Sequence, residues 1–300
     1  MEKPLRIVIL TSKLPEDLWL INKIAEVSLI EGIVLPVRSR YKEFGIIQVL
    51  KKRIRRFGLF CIVNQVLLIL YRLVMESQKD RKAKKKIFAD KPYQYIEKRN
   101  VDTLYTEDIN SEEVRNFILA KSPQLVVVSG TPLLKKRIIK SVEGRIINLH
   151  PGFAPQYRGR YGAFWPIYNK EPDLVGTTIH FLDEGIDTGD ILIQQQVNYD
   201  PSDSLKTITY RQHKVGGDLL VKCLTQFGMI ASSAYCKTGC PSSNYLVPGL
   251  THYLKARNWL RREKRNGNLV PLTLMENRCC SQSRADNLET IDKETLINTE

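Results

Sequence analysis

Leu5-Arg6-Ile7-Val8-Ile9-Leu10 is a nearly continuous apolar run, the pattern of a strand buried on both faces at the centre of a parallel sheet. It breaks at Ser12-Lys13-Leu14-Pro15. Leu18, Ile21, Ile24 and Ala25 then recur at helical spacing between Asp17 and Val27, and Gly32 to Val37 supplies the next strand. Strand, helix, strand predicts a βαβ opening and a mostly parallel α/β sheet. The same grammar resumes after residue 100. Asn110 to Ala120 is helical, with Ser111, Glu112 and Glu113 as an acidic first turn. Gln124 to Ser129 is a buried strand ending at Gly130-Thr131-Pro132. A helix over Leu133 to Val142 closes at Gly144, and Arg145 to His150 is a strand. Thr177 to Phe181 and Ile191 to Val197 both alternate, so a hairpin-like pair brackets the loop 182–190. Ser204 caps a helix reaching about Phe227.

Three hundred residues, 43% hydrophobic and 26% charged, suit a globular protein with a real core. The six cysteines (61, 223, 236, 240, 279 and 280) form no regular framework, and nothing at Met1-Glu2-Lys3-Pro4 reads as a signal peptide. A reducing cytoplasm is the expected setting. Cys236, Cys240, Cys279 and Cys280 make poor metal-ligand geometry, and no metal is expected.

The net charge of +14 is local. Between Arg38 and Arg99 there are 18 Lys/Arg and 5 Asp/Glu, which is 18 − 5 = +13 in one insertion. Phe44, Ile47, Leu50, Ile54 and Phe57 recur at three- and four-residue steps among lysines and arginines, as a basic amphipathic helix does. Phe57 to Tyr71 follows without a charge, too short to span a bilayer, and Lys79 to Lys86 is strongly basic. A helical excursion packed on the domain accounts for this pattern. An element lying on an anionic membrane surface, over residues 44–86, accounts for it too. Nucleic acid is a poorer partner, because Phe44, Phe57, Phe60 and Tyr71 lie on the apolar face.

The chemistry concentrates between Asn148 and Asp190. Asn148 and His150 are two apart, so their side chains share one face at the carboxyl end of a strand, where open α/β sheets bind ligands. An amide and an imidazole side by side can stabilise an oxyanion. The loop Leu182-Asp183-Glu184-Gly185-Ile186-Asp187-Thr188-Gly189-Asp190 offers four carboxylates. One of them beside His150 favours imidazolium.

Asn148-Leu-His150-Pro-Gly, Pro155-Gln-Tyr-Arg158-Gly159, Gly176-Thr-Thr-Ile-His180-Phe and Asp183-Glu-Gly-Ile-Asp187-Thr-Gly-Asp-Ile-Leu, taken in this order, resemble the formyltransferases that use 10-formyltetrahydrofolate. The resemblance covers residues 124 to 225 well and the first 37 loosely. It implies a Rossmann-like formyltransferase domain over 1–227, interrupted by the basic helical insertion 38–99. An irregular C-terminal extension, 228–300, is expected beyond it, with a disordered tail from about 280.

The resemblance also implies roles. Asn148 and His150 hold the formyl oxygen as it becomes an oxyanion. Asp187 orients and charges His150 and relays the proton lost by the attacking amine. Thr131, Pro132, Leu133 and Leu134, with Asp183, Glu184 and Gly185, correspond to backbone that grips the pterin. For the acceptor, Ser12, Lys13, Arg158, Arg160 and Trp165 are candidates. The family's glycinamide ribonucleotide enzymes carry a Gly-rich turn where this chain has Thr11 to Pro15, and its tRNA enzymes a C-terminal β-barrel whose alternating strands are missing from 228–300. Arg158-Gly159-Arg160-Tyr161-Gly162-Ala163-Phe164-Trp165 is closest to the sugar N-formyltransferase branch. The expected acceptor is therefore an amino sugar on a nucleotide or lipid carrier. A folate hydrolase, a methionyl-tRNA formyltransferase-like enzyme and a non-catalytic basic binding protein remain alternatives. A homodimer and a peripheral position on the inner membrane face stay open.

Overall fold

The computed structural model describes residues 3–37, 51, 54–89, 101–142, 144–200, 203–236 and 239–266. In chain order, β1 (Leu5–Thr11), α1 (Pro15–Ile24) and β2 (Ser28–Pro36) precede the excursion, which contains α2 (Leu59–Met75) and α3 (Ser77–Ile87). Then come β3 (Thr103–Thr106), α4 (Glu112–Lys121), β4 (Leu125–Ser129), α5 (Lys136–Ser141), β5 (Ile146–His150), β6 (Tyr157–Gly159) and α6 (Phe164–Tyr168). The chain continues through β7 (Gly176–Phe181), β8 (Ile191–Gln196), α7 (Leu205–Thr225), α8 (Phe227–Ser232), β9 (Ser243–Tyr245) and α9 (Leu250–Arg265).

The seven-stranded sheet runs β3-β2-β1-β4-β5-β7-β8. Its first five strands are parallel, and β7 and β8 are antiparallel. The expected α/β class and the hairpin-like pair are both present. β1 is apolar from Ile7 to Leu10 because both its faces are covered there. Ile7 and Ile9 join Trp19 and Leu220 in one cluster, while Val8 and Leu10 join Val114 and Ile138 in another. Strand order reverses between β1 and β4, which opens a crevice beyond Thr11 and Ser129, beside the end of β5.

Local signals set most boundaries. Pro15 occupies the first turn of α1, where its missing N–H costs nothing. Ser111 caps α4 by accepting from Val114 N, and Ser204 caps α7 by accepting from Thr207 N. Residues 133–135 do not join α5, as the apolar spacing suggested. Asn110 donates to the Leu133 carbonyl (3.1 Å) and accepts from Lys135 N (2.6 Å), which pins this stretch as a loop.

One other expectation changes. The extension after 227 is less irregular than its weak patterning suggests: α9 buries Tyr253, Ala256 and Leu260, at three- and four-residue steps, against α2 and α6. β9 pairs with β6 in a second, two-stranded sheet. The basic helix expected from Phe44 lies mostly outside the described residues, as does the tail from 280; residues 54–57 are helical. Among the described residues no single helix is long and apolar enough to cross a membrane. Together α2 and α3 reach that length and composition, but they turn by 71° at their junction.

Candidate active site

Asn148 and His150 end β5, and in the antiparallel register Asn148 lies opposite His180 of β7. The chain leaves β7 through a loop that returns Asp187 to the same spot, 39 residues after Asn148. The expected trio therefore meets. Asp187 Oδ2 lies 3.5 Å from His150 Nδ1 and accepts from Gly159 N at 2.8 Å. Its Oδ1 accepts from Asn148 Nδ2 at 3.2 Å and lies 3.4 Å from His180 Nε2. Asp187 has φ 51°, the left-handed region that Asp and Asn enter more readily than other side-chain-bearing residues.

Hydrogen-bond partners fix which ring nitrogens carry protons. His150 Nε2 is 3.0 Å from the Tyr157 carbonyl, so it donates there. Its Nδ1 faces a carboxylate, a contact that is attractive when that nitrogen is protonated as well. His180 Nδ1 donates to the Phe181 carbonyl at 2.7 Å, which leaves Nε2 to face Asn148 Nδ2 at 3.2 Å. Both amide hydrogens of Asn148 are thus engaged inside the cluster. An oxyanion arriving beside Asn148 must take one of them from Asp187 or His180. Gly152 allows the packing: a Cβ there would stand 2.2 Å from His150 Nε2 and 2.7 Å from the Tyr157 carbonyl.

Burial by itself would raise the Asp187 carboxyl. His150, then His180, then the Gly159 amide outweigh it, and the group is held well below the usual carboxylate range. Asp187 is therefore a permanent anion. A carboxylate held that low does not retain a proton, so the geometry favours orienting and charging imidazole over storing the proton of an amine.

His180 belongs to the cluster, yet the sequence reading left it as one letter of a motif. Alternation along Thr177-Thr178-Ile179-His180 puts it on the strand that faces β5, and that was the available signal. The Gly159 amide and the Tyr157 carbonyl were hidden, because backbone donors have no sequence signature.

The remaining candidates disperse. Glu184 pairs with Lys136 at 2.9 Å, and Asp183 turns into its own loop, accepting from Gly185 N and Thr188 Oγ1. Leu134 and Leu182 both pack against one core cluster, and Glu184 reaches Lys136, two residues past Leu134. Thr131, Pro132 and Leu133 form the loop after β4, with Leu133 exposed. Ser12 donates to Asp17, and Lys13 sits 4.2 Å over the Tyr105 ring. Arg158 donates to the Ile186 carbonyl at 2.9 Å and so holds the Asp187 loop instead of reaching outward. Arg160 is exposed. Trp165 is buried among Phe164, Tyr168 and Tyr245 and donates to the Leu246 carbonyl, so it is core rather than a binding surface. Among the described residues, no group of three or more His, Cys, Asp or Glu stands where it could hold a metal.

A doubly wound sheet gathers an amide, two imidazoles and a buried carboxylate beside the end of β5, a set of groups able to stabilise developing negative charge. Residues 68–224, just over half of the chain, match the formyl transferase family model, and the chain belongs to that family. It is 35% identical over 132 residues to a methionyl-tRNA formyltransferase of Halothermothrix orenii, covering 44% of this chain and 42% of that one. A Finegoldia magna methionyl-tRNA formyltransferase is 28% identical over 156 residues, covering 50% and 49%. The chain thus spans about half the length of the curated relatives it matches. In fold it is similar to a phosphoribosylglycinamide formyltransferase of Coxiella burnetii, with TM-score 0.50 and 18% identity over 78% of this chain and 92% of that one.

Proposed function

We propose that this protein transfers the formyl group of 10-formyltetrahydrofolate to an amine, and that the amine belongs to an amino sugar on a nucleotide or lipid carrier. The convergence of Asn148, His150 and Asp187 at the sheet edge carries the reading. In the proposed reaction the amine nitrogen attacks the formyl carbon and the carbonyl π pair moves onto oxygen. Asn148 N–H receives that oxyanion, and a His150 N–H joins it only by leaving the Tyr157 carbonyl or Asp187. As it collapses, the bond to folate N10 breaks, N10 takes up a proton, and the amine nitrogen gives one up. Asp187, fixed as an anion, faces His150 Nδ1 and aims the ring. The loops 131–134 and 182–185 would hold the pterin.

The amino-sugar acceptor is supported by the likeness of the run Arg158 to Trp165 to the sugar N-formyltransferase branch, with Arg158 and Trp165 themselves turned inward. It is supported as well by the residues after α7, which fold back through β9 onto Arg158 and Gly159 and through α9 onto α2 and α6. This commits residues 243–265 to the catalytic domain. A second reading, a methionyl-tRNA acceptor, is favoured by the names of the curated relatives.

The test is loss of formyl from 10-formyltetrahydrofolate, followed by ultraviolet absorbance, against nucleotide-linked amino sugars and charged initiator tRNA. Turnover with a sugar, abolished in His150→Ala, is the expected result. Turnover with tRNA alone would select the second reading, and failure to bind folate would defeat both.

A further inference from the structure

α2 is built inside out. Its polar side chains face the protein: Asn64 donates to Thr251 Oγ1 at 2.8 Å and accepts from Thr251 N at 3.1 Å, and Gln65 donates to the Val247 carbonyl at 3.1 Å. Of its 17 residues only Ile62, Asn64 and Leu68 are buried. Most of the other apolar ones point outward, with Phe60 77% exposed, Leu73 61% and Val74 75%. A soluble surface rarely shows a contiguous apolar face of this kind without a partner.

The charge around this face has one sign. α2 has no acid in its first turn, and none between Leu59 and Met75. The two acids at the junction turn inward. Glu76 accepts from Tyr253 and pairs with Arg257 at 3.8 Å; Asp80 accepts from Ser204 and Thr207 and faces Arg72 at 3.9 Å. Outward, α3 shows Arg81, Lys82, Lys85 and Lys86. At the elbow lies a cleft of about 380 Å³, in which Arg72, Arg81, Lys84 and Lys206 outnumber the single carboxylate, Asp80. Ile69 and Leu73 of the apolar face form its lip. Burial lowers the Lys206 ammonium and Glu16 pulls it back; Arg72 lowers it again, Asp80 raises it, and Lys84 lowers it. Like charge is crowded there, and an anion would relieve it.

We propose that α2 and α3 dock the protein on an anionic lipid bilayer, with the outer face of α2 in the headgroup–acyl boundary and lipid phosphates in the elbow cleft. A helix of this length spans about 25 Å and lies in the plane of the interface. The bilayer supplies both chemistries in the order the protein presents them, phosphate above and hydrocarbon below. A second copy of the chain meeting the same face would bring cations against cations. The docking surface is independent of the formyl-transfer reading, since none of its residues touches Asn148, His150 or Asp187.

The test is co-sedimentation of the full chain with vesicles of phosphatidylcholine, with and without phosphatidylglycerol. Binding is expected on the anionic vesicles, falling as salt rises. Leu70→Asp/Val74→Asp should abolish it. Arg81→Ala/Lys84→Ala should weaken it by roughly twentyfold, about fivefold for each cation removed. All these positions lie at the surface, and thermal melts matching the wild type certify folding; Phe60→Asp serves as a replacement for any variant that melts early. No binding to anionic vesicles would overturn the proposal. So would undiminished binding by Leu70→Asp/Val74→Asp, or lipid-free dimerisation that these substitutions abolish. Formyl-transfer activity surviving in the variants would leave the reaction intact whichever way the vesicles decide.

Discussion

Two regions of this molecule bury carboxylates beside cations, and they do it to opposite ends. At the sheet edge, Asp187 receives two backbone or amide N–H groups and faces two imidazoles, and its acidity is strengthened. At the α2–α3 elbow, burial raises Glu76; the Tyr253 hydroxyl lowers it, Asp80 raises it, and Arg72 lowers it without recovering the ordinary value. The first arrangement holds a fixed negative charge where a reaction can use it. The second hides negative charge inward and leaves a positive, apolar exterior. Burial is common to both; the count and direction of donors decide what the charge does.

The sharpest way to break the first half of this contrast is Asp187→Asn. Asparagine tolerates the left-handed backbone, and its carbonyl oxygen can still accept from Gly159 N, so the fold survives. His150 Nδ1 loses the anion it faces. Turnover should fall by about 10²–10⁴, the usual size of an acid/base contribution, while folate affinity holds. Steady-state kinetics with parallel folate titration reads both. Unchanged turnover would remove Asp187 from the chemistry.

Asp17 tests whether a poorly supplied carboxylate behaves as the comparison requires. It lies beside the crevice between β1 and β4, where burial drives its pKa up to about 7; Ser12 opposes this and Glu16 adds to it. A folded value above the unfolded one means the proton is held more tightly when folded. That stability is complete below about pH 4 and drains away as pH rises to 7. Asp17→Asn should therefore stabilise the protein at pH 8, by at most about 4 kcal/mol, and the gain should vanish near pH 4. Melting curves across that range read the slope. Equal effects at both pH values would show that the carboxylate is charged and satisfied.

The sheet was legible in the chain because two-sided burial leaves an unbroken apolar run, as in Ile7 to Leu10 and Leu125 to Val128. Caps at Ser111 and Ser204 were legible for the same local reason. The trio was legible from spacing along one strand and one loop together with the family motifs. His180, the Gly159 amide and the clamp of Asn110 on residues 133–135 were not, since each depends on a tertiary neighbour. The orientation of α2 was the least legible feature. Its periodicity marks an apolar side, and periodicity cannot say whether that side faces the protein.

Asn64→Leu probes that orientation directly. If α2 docks through its polar side, the substitution loses both bonds to Thr251 and costs about 0.5–1.5 kcal/mol. The urea midpoint, at constant slope, reports it. A gain in stability would mean that the interface prefers an apolar residue and that the helix lies the other way round.

The smallest expected effect completes the contrast. Leu70 is more than half exposed on the outer face of α2, so Leu70→Ser removes contacts with water rather than with the core. In lipid-free buffer it should shift stability by no more than about 0.5 kcal/mol, whereas a buried leucine truncated to alanine costs about 2–5 kcal/mol. Leu68, two residues earlier and buried, is the internal control, and Leu68→Ala should show the larger loss. The pair separates orientation from helix propensity, because both positions lie mid-helix. A large loss at Leu70 with little at Leu68 would turn α2 around and, with it, remove the apolar surface on which membrane docking rests.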